Sequence, residues 1–238
     1  MDIIFVHGAF VRDGAWWWQP VASRIERATG VASRAVALPS CGEAETDRTG
    51  RGGLFDDAGA LASVLDQVDS AIVVAHSYGG TVVAQGGAHP AVRHLVYLSS
   101  FLPDVGQTHA SLSPSASDPV PVRAHDDGTV SVVDDDGHSF DRRFLHDVVD
   151  PSVVEQAHAR LCAQSVAAFA TPTTAAAWQT VESTYLVCAD DRSTDPELQR
   201  KHAARATHTH ELPASHHPFL SRPELVAEVL EAILSRTA

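Results

Sequence analysis

The chain has 238 residues, 44% of them hydrophobic, and a formal net charge of −13 from 17 basic and 30 acidic side chains. That length and apolar content provide one sizeable core without requiring two equal domains, so a single domain with an insertion is expected over residues 1–238. The acidic balance argues against nucleic acid and anionic membranes as partners, because phosphate binding needs clustered Lys and Arg. Cys41, Cys162 and Cys188 are odd in number and widely spaced, which suits a reducing, cytoplasmic setting better than a disulfide framework. No run approaches the roughly 18 apolar residues of a membrane span. Met1-Asp2 also lacks the basic region of a signal peptide.

In chain order, Asp2 to Val6 reads as a buried strand ending in the turn His7-Gly8-Ala9-Phe10. Ala15 to Ala28 has Trp17, Val21 and Ile25 at helical spacing, and Gly30 ends it. Ser33 to Leu38 predicts a second strand, residues 41–53 a polar surface loop, and Leu54 to Gln67 a helix. Ala71 to Ala75 is a third strand, followed by a helix through Gly87, and His94 to Leu98 is a fourth. The strand and helix alternation then lapses over residues 104–180. Within that stretch a hairpin is expected around Asp126-Asp127-Gly128 and a helix over 151–169, while Asp134-Asp135-Asp136 reads as a solvated loop. Alternation resumes with strands at Thr184 to Cys188 and His208 to Leu212 and helices at Pro196 to Ala206 and Pro223 to Ser235. The pattern predicts an α/β fold with a mainly parallel six-stranded sheet, helices on both faces, and an inserted cap at 104–180.

Ligands bind outside the carboxyl ends of the strands in such sheets, so catalytic groups should follow strands. Ala71-Ile72-Val73-Val74-Ala75-His76-Ser77-Tyr78-Gly79-Gly80 is a β-branched run stopping at a serine flanked by small residues. It has the form of a nucleophile elbow, a sharp strand-to-helix turn that holds a serine hydroxyl where a base can reach it. Ala75 stands where glycine is usual and preserves the steric logic. His7-Gly8-Ala9-Phe10, Asp190-Asp191 and His216-His217 also follow predicted strands. Their order is serine, acid, histidine. His208 and His210 share a strand face, but no HExxH or cysteine pair accompanies them, so neither a metal nor another cofactor is expected.

On these motifs, together with Trp16, Trp18 and His216-His217-Pro218-Phe219-Leu220-Ser221-Arg222-Pro223, the chain resembles the α/β-hydrolase superfamily. The likeness is to its small branch of plant methylesterases, hydroxynitrile lyases and bacterial esterases. The resemblance implies Ser77 as nucleophile, His216 as base and then acid, and Asp191 as the orienting acid, with Asp104 the alternative acid. It also implies an oxyanion hole from the backbone N–H groups of Ala9 and Tyr78, Phe10 being the alternative donor. His217 then either sits beside the site or faces solvent. Lyases of this branch carry a threonine beside the oxyanion loop and a lysine after the histidine, where this chain has Gly8 and His217, so ester hydrolysis is favoured. Phe140, Phe144, Leu161, Phe169 and Trp178, with Phe10 and His217, are candidates to contact a small or medium ester. The alternatives are a non-hydrolytic cyclase, decarboxylase or carbon-carbon lyase, and a ligand-binding receptor on the same scaffold.

Overall fold

Successive side chains of a strand point to opposite faces, and where both sets are apolar the strand must be covered on both sides. The computed structural model, in which residues 1–43, 52–112 and 120–237 are described, builds a sheet whose central strands are of this kind. Its strands are β1 (Asp2–Val6), β2 (Ser33–Ala35), β3 (Ala71–His76), β4 (Val92–Leu98), β5 (Val122–Ala124), β6 (Thr129–Val132), β7 (Gln164–Ser165), β8 (Ser183–Cys188) and β9 (His208–Leu212). The helices are α1 (Gly14–Thr29), α2 (Leu54–Leu65), α3 (Gly79–Gly86), α4 (His109–Leu112), α5 (Pro151–His158), α6 (Val166–Ala170), α7 (Pro196–Ala203), α8 (Pro218–Ser221) and α9 (Pro223–Thr237). Six strands form one parallel sheet in the order β2-β1-β3-β4-β8-β9, and β5-β6-β7 form a separate antiparallel sheet. The expected α/β architecture is thus present.

The strand alternation divides the core in two. Ile3, Phe5, Ile72, Val74 and Val96 pack against Trp17, Trp18, Val21 and Ile25 of α1 and Val226, Leu230 and Ile233 of α9. Ile4, Val6, Val73, Ala75 and Leu95 point the other way, onto Leu54, Leu61 and Leu65 of α2 and Val82 and Val83 of α3. Local signals set the helix ends. The Asp13 carboxylate accepts from Trp16 N at the start of α1, and Gly30, at φ 72°, closes it in the left-handed conformation that favours glycine. Asp150 and Asp195 cap α5 and α7, each followed by proline at the first helical position.

The chain begins in the middle of the sheet: β1 pairs with β2 on one side and β3 on the other. The direction of sheet growth therefore reverses between β1 and β3, and a crevice opens at their carboxyl ends. The turn after β1 and the turn after β3 both fall there.

Two expectations need correction. The helix expected over 151–169 stops at His158, and Gln164–Ser165 instead pair with β6 before α6 begins. The reason is tertiary: Cys162 N donates to Phe10 O at 2.8 Å and Leu161 bridges to Val11, which draws this stretch out alongside the turn after β1. The second strand ends at Ala35 rather than Leu38, although Val36 N still donates to Phe5 O at 2.9 Å. The hairpin around Gly128 forms as expected, with Val122 opposite Val132. Most of the loop expected over 41–53 lies outside the described residues. Among those described, no helix is long and apolar enough to cross a membrane.

Trp18 ties α1 to the sheet and to α8, stacking on Phe5 at 4.5 Å and lying 4.3 Å from Phe219 between ring centroids. Trp18→Ala is expected to lower unfolding free energy by about 3–5 kcal/mol through the cavity it leaves. Trp18→Phe keeps most of the volume and removes an indole N–H that has no partner among the described residues, so it should cost much less. Urea denaturation of both variants measures the difference.

Candidate active site

Ser77 follows the last residue of β3 with φ 50°, a left-handed conformation that costs a non-glycine residue energy and turns the chain sharply into α3. The turn is possible because the residues after it are bare. A Cβ on Gly79 would lie 2.5 Å from Val6 O and 2.8 Å from His7 O, so α3 is pressed against the backbone at the end of β1. Gly8 is equally constrained, since a Cβ there would meet His76 Nδ1 at 2.8 Å. These close approaches hold the turn after β1 beside the elbow.

In that turn Phe10 is also left-handed, at φ 63°, and its N–H donates to Gln164 Oε1 at 3.0 Å. Among the described residues, neither the Ala9 N–H nor the Tyr78 N–H has a protein acceptor. Of the two alternatives in the turn, the Phe10 amide is therefore occupied and the Ala9 amide is available.

Asp191 lies beyond β8 and is 6% exposed. Its Oδ2 accepts from His216 Nδ1 at 2.8 Å, from Gln199 Nε2 at 2.9 Å and from the Ser99 hydroxyl. Its Oδ1 accepts from the backbone N–H groups of Ser193 at 2.7 Å and Thr194 at 3.0 Å. Burial disfavours the carboxylate, but the pull and hydrogen bond of His216 and the bond from Ser99 outweigh it and hold the Asp191 pKa below the usual value. Asp190 does not reach the histidine; its carbonyl accepts from His146 Nε2 at 3.0 Å. Asp104 lies elsewhere, bonded to Arg205 at 2.6 Å and Gln179 at 3.0 Å.

With Nδ1 engaged by Asp191, His216 has Nε2 free of protein partners among the described residues, and it lines the same cavity as Ser77. The Ser77 hydroxyl makes no hydrogen bond among those residues, so the serine and histidine face one space without a closed contact between them. Such contacts are often long before substrate binds. Two further histidines crowd this one, with His76 and His217 ring centroids 4.6 and 5.0 Å from that of His216. Burial and the neighbouring His216 hold His76 well below its usual pKa and His217 at about 3.

The cavity has a volume of about 650 Å³. Phe10, Phe140, Phe144, Phe169 and His217 line it, as do Phe101, His109 and the hairpin valines Val122, Val130 and Val132. Its aromatic groups form two clusters. Phe169 lies 5.3 Å from Phe10 and 5.5 Å from Tyr78, while Phe140 lies 4.7 Å from Phe144, which lies 5.4 Å from His216. Trp178 and Leu161 do not line it. The Trp178 indole donates to Pro103 O at 2.8 Å with Arg205 over its ring, and Leu161 packs on the core beside α1. His217 is 4% exposed, with Nδ1 bonded to Phe144 O at 3.0 Å, so it is a buried wall residue rather than a solvent-facing one. Among the described residues no group of three or more His, Cys, Asp or Glu is placed to hold a metal ion, and His208 instead bonds Glu182.

Three contributors were not anticipated from sequence. Ser99, at φ 42°, reaches both Asp191 and His216 Nδ1, the latter at 3.1 Å. Gln199 comes from α7 and Gln164 from β7. Ser99 directly follows a strand, a position that could have raised its standing; the two glutamines carry no local signal.

Residues 3–229 match the model of the alpha/beta hydrolase family. The chain belongs to the α/β-hydrolase family. It is 27% identical over 243 residues to an alpha/beta hydrolase, nvfD, of Aspergillus novofumigatus, covering 96% of this chain and 94% of that one. It is 32% identical over 129 residues to a carbendazim hydrolyzing esterase of a Nocardioides species, covering 50% of this chain and 49% of the relative. Among solved structures it resembles a pyrethroid hydrolase from Sphingobium faniae with a TM-score of 0.81 at 23% identity, over 98% of this chain and 96% of that one.

This α/β-hydrolase carries a buried ion pair at the start of the turn after β1. His7 Nδ1 donates to Gly8 O at 2.9 Å and Nε2 to Glu43 Oε2 at 2.6 Å, and only an imidazolium can donate from both nitrogens. Burial opposes the charges, but the hydrogen bond and attraction between the partners outweigh it, raising the His7 pKa above 6.5 and lowering that of Glu43 below 4.5. The His7 share of stability is complete below about pH 6.5 and lost as pH rises through its raised folded value. The Glu43 share is complete above about pH 4.5 and lost as pH falls through its lowered value. Glu43→Gln is therefore expected to destabilise most between those limits. Denaturation of both proteins at about pH 5.5 and pH 9 should show the larger difference at the lower pH.

Proposed function

We propose that this α/β-hydrolase cleaves carboxylic esters through an acyl-enzyme formed on Ser77. The observation that carries the reading is the Asp191–His216 hydrogen bond of 2.8 Å, set in one cavity with a serine held in a strained turn. Asp191 holds the His216 proton on Nδ1, which leaves Nε2 as the basic nitrogen toward the cavity. His216 takes the Ser77 proton as the hydroxyl attacks the ester carbonyl carbon, then gives it to the departing alcohol. The Ala9 and Tyr78 amides stabilise the oxyanion, each worth about 3 kcal/mol in the transition state. Water then attacks the acyl-enzyme by the same route in reverse.

The crowded histidines support this assignment. Three imidazoles sit close together, and burial keeps His76 and His217 neutral. His216 is the ring of the three that is paired with a carboxylate, which makes it the base of this reading.

Residues 104–180 act as the cap, supplying the hairpin valines, Phe140, Phe144 and Phe169. A cavity of about 650 Å³ with these walls fits a small to medium ester whose acyl or alcohol part is apolar or aromatic. The names of the esterase and pyrethroid hydrolase among its relatives point to the same class. The odd number and wide spacing of the cysteines support a reducing, cytoplasmic setting.

Assays on short p-nitrophenyl esters test the reading. Ser77→Ala is expected to lower kcat/KM by about 10⁴-fold or more, and Asp191→Asn by roughly 10³- to 10⁴-fold with little change in KM. A fluorophosphonate should add one covalent mass at Ser77 in the wild type. Equal ester hydrolysis by wild type and Ser77→Ala would overturn the nucleophile, and activity surviving in Ser77→Ala but lost in His216→Ala would indicate acid-base chemistry without an acyl-enzyme.

A further inference from the structure

Outside the cavity, a chain of buried polar groups runs behind both arms of the oxyanion site. Asp57 in α2, Ser40 before it and Gln164 in β7 are each 0% exposed. The Asp57 carboxylate accepts from Ser40 N at 2.9 Å, from the Ser40 hydroxyl at 2.6 Å and from the Tyr78 hydroxyl at 2.6 Å. The Ser40 oxygen accepts in turn from Gln164 Nε2 at 2.9 Å, and Gln164 Oε1 accepts from the Phe10 N–H at 3.0 Å. One end of the chain is the side chain of Tyr78. The other is the backbone of the turn after β1.

The direction of each bond follows from the groups present. A carboxylate only accepts, so the single Ser40 hydroxyl proton points at Asp57. The Ser40 oxygen can then only accept from Gln164, which turns the glutamine NH₂ toward Ser40 and its oxygen toward Phe10. A flipped amide would set its NH₂ against the Phe10 N–H and its oxygen against the Ser40 oxygen, two repulsive contacts in a buried site. The Asp57 carboxyl, accepting from Ser40, thus fixes the glutamine, and the glutamine holds the Phe10 amide. Rotated into the cavity, that amide would compete with Ala9; held, it leaves Ala9 as the amide of the turn with no protein acceptor among the described residues. The same carboxylate anchors Tyr78 through its phenol.

We infer that Asp57, Ser40 and Gln164 are positioning residues, a single polarised relay that sets both oxyanion donors, selecting Ala9 over Phe10 and fixing Tyr78. The inference rests on the acyl-enzyme reading above and adds residues that do not touch substrate. Catalysis is sensitive to such placement, since an error of about 1 Å in a donor can cost on the order of 10²-fold in rate.

Gln164→Met, Ser40→Ala and the double variant test it, with wild-type ester hydrolysis and covalent labelling of Ser77 as the reference. Each single variant should lower kcat by roughly 10- to 100-fold with KM changed less than about 2-fold. Affinity for a trifluoromethyl ketone, whose adduct carries an oxyanion, should fall by the same factor as kcat/KM. The double variant should lose no more than the worse single one, because both cut one relay. Losses that multiply, or fall on KM and stability while ketone affinity is kept, would show a packing role and overturn the inference. Unchanged kcat and ketone affinity in Gln164→Met, or in Ser40→Ala should the former not fold, would overturn it as well. In either case labelling of the wild type leaves the acyl-enzyme reading standing; a wild type that is neither labelled nor active on esters brings down that reading and the inference with it.

Discussion

The structure turns on the close approach of two backbones. The start of α3 presses against the carbonyls of Val6 and His7, at a distance only Gly79 permits. That contact brings the strained elbow at Ser77 beside the turn at 8–10, and the amides of Ala9 in the turn and Tyr78 after the elbow have no protein acceptor among the described residues. Phe10, Ser77 and Ser99, all at positive φ, follow the ends of β1, β3 and β4, and Asp13 at the start of α1 shares that conformation. The sheet sustains these turns because its central strands β1, β3, β4 and β8 are buried on both faces, with two apolar clusters holding the strand ends in register.

Electrostatics then divides labour among similar groups. Three imidazoles crowd the cavity floor, and their surroundings rather than their chemistry distinguish them. His216 faces a carboxylate supported by five donors, while His76 and His217 meet backbone carbonyls and aromatic rings. His7, a short way along the turn, is charged because Glu43 is opposite it. Burial opposes the charged form of His7, His76 and His217 alike, and of these His7 is the one whose carboxylate partner reverses the outcome.

Much of this was legible in the sequence. The β-branched run ending at Ser77, the glycines after it and the turn at His7 are local patterns, and each falls at a strand end in the structure. Asp191 and His216 could be placed after strands, but choosing them over Asp190 and His217 required a resemblance to known proteins. The stretch from 159 to 165 reads as helix because its residues favour helix locally, yet hydrogen bonds to Phe10 and pairing with β6 draw it into extended form. Trp178 carries the aromatic character of a pocket wall but spends its indole N–H on Pro103, outside the cavity.

By itself, then, the sequence determined the alternation of strands and helices, the parallel sheet, and the set of strand ends where chemistry had to lie, because hydrophobic period and turn residues act over a few neighbours. Only the tertiary structure decided which aspartate meets which histidine, which amide of the turn stays free, and that Gln164, Ser40 and Asp57 stand behind them. Those choices are made by contacts between residues up to 154 positions apart, as between Phe10 and Gln164, and no local pattern encodes them.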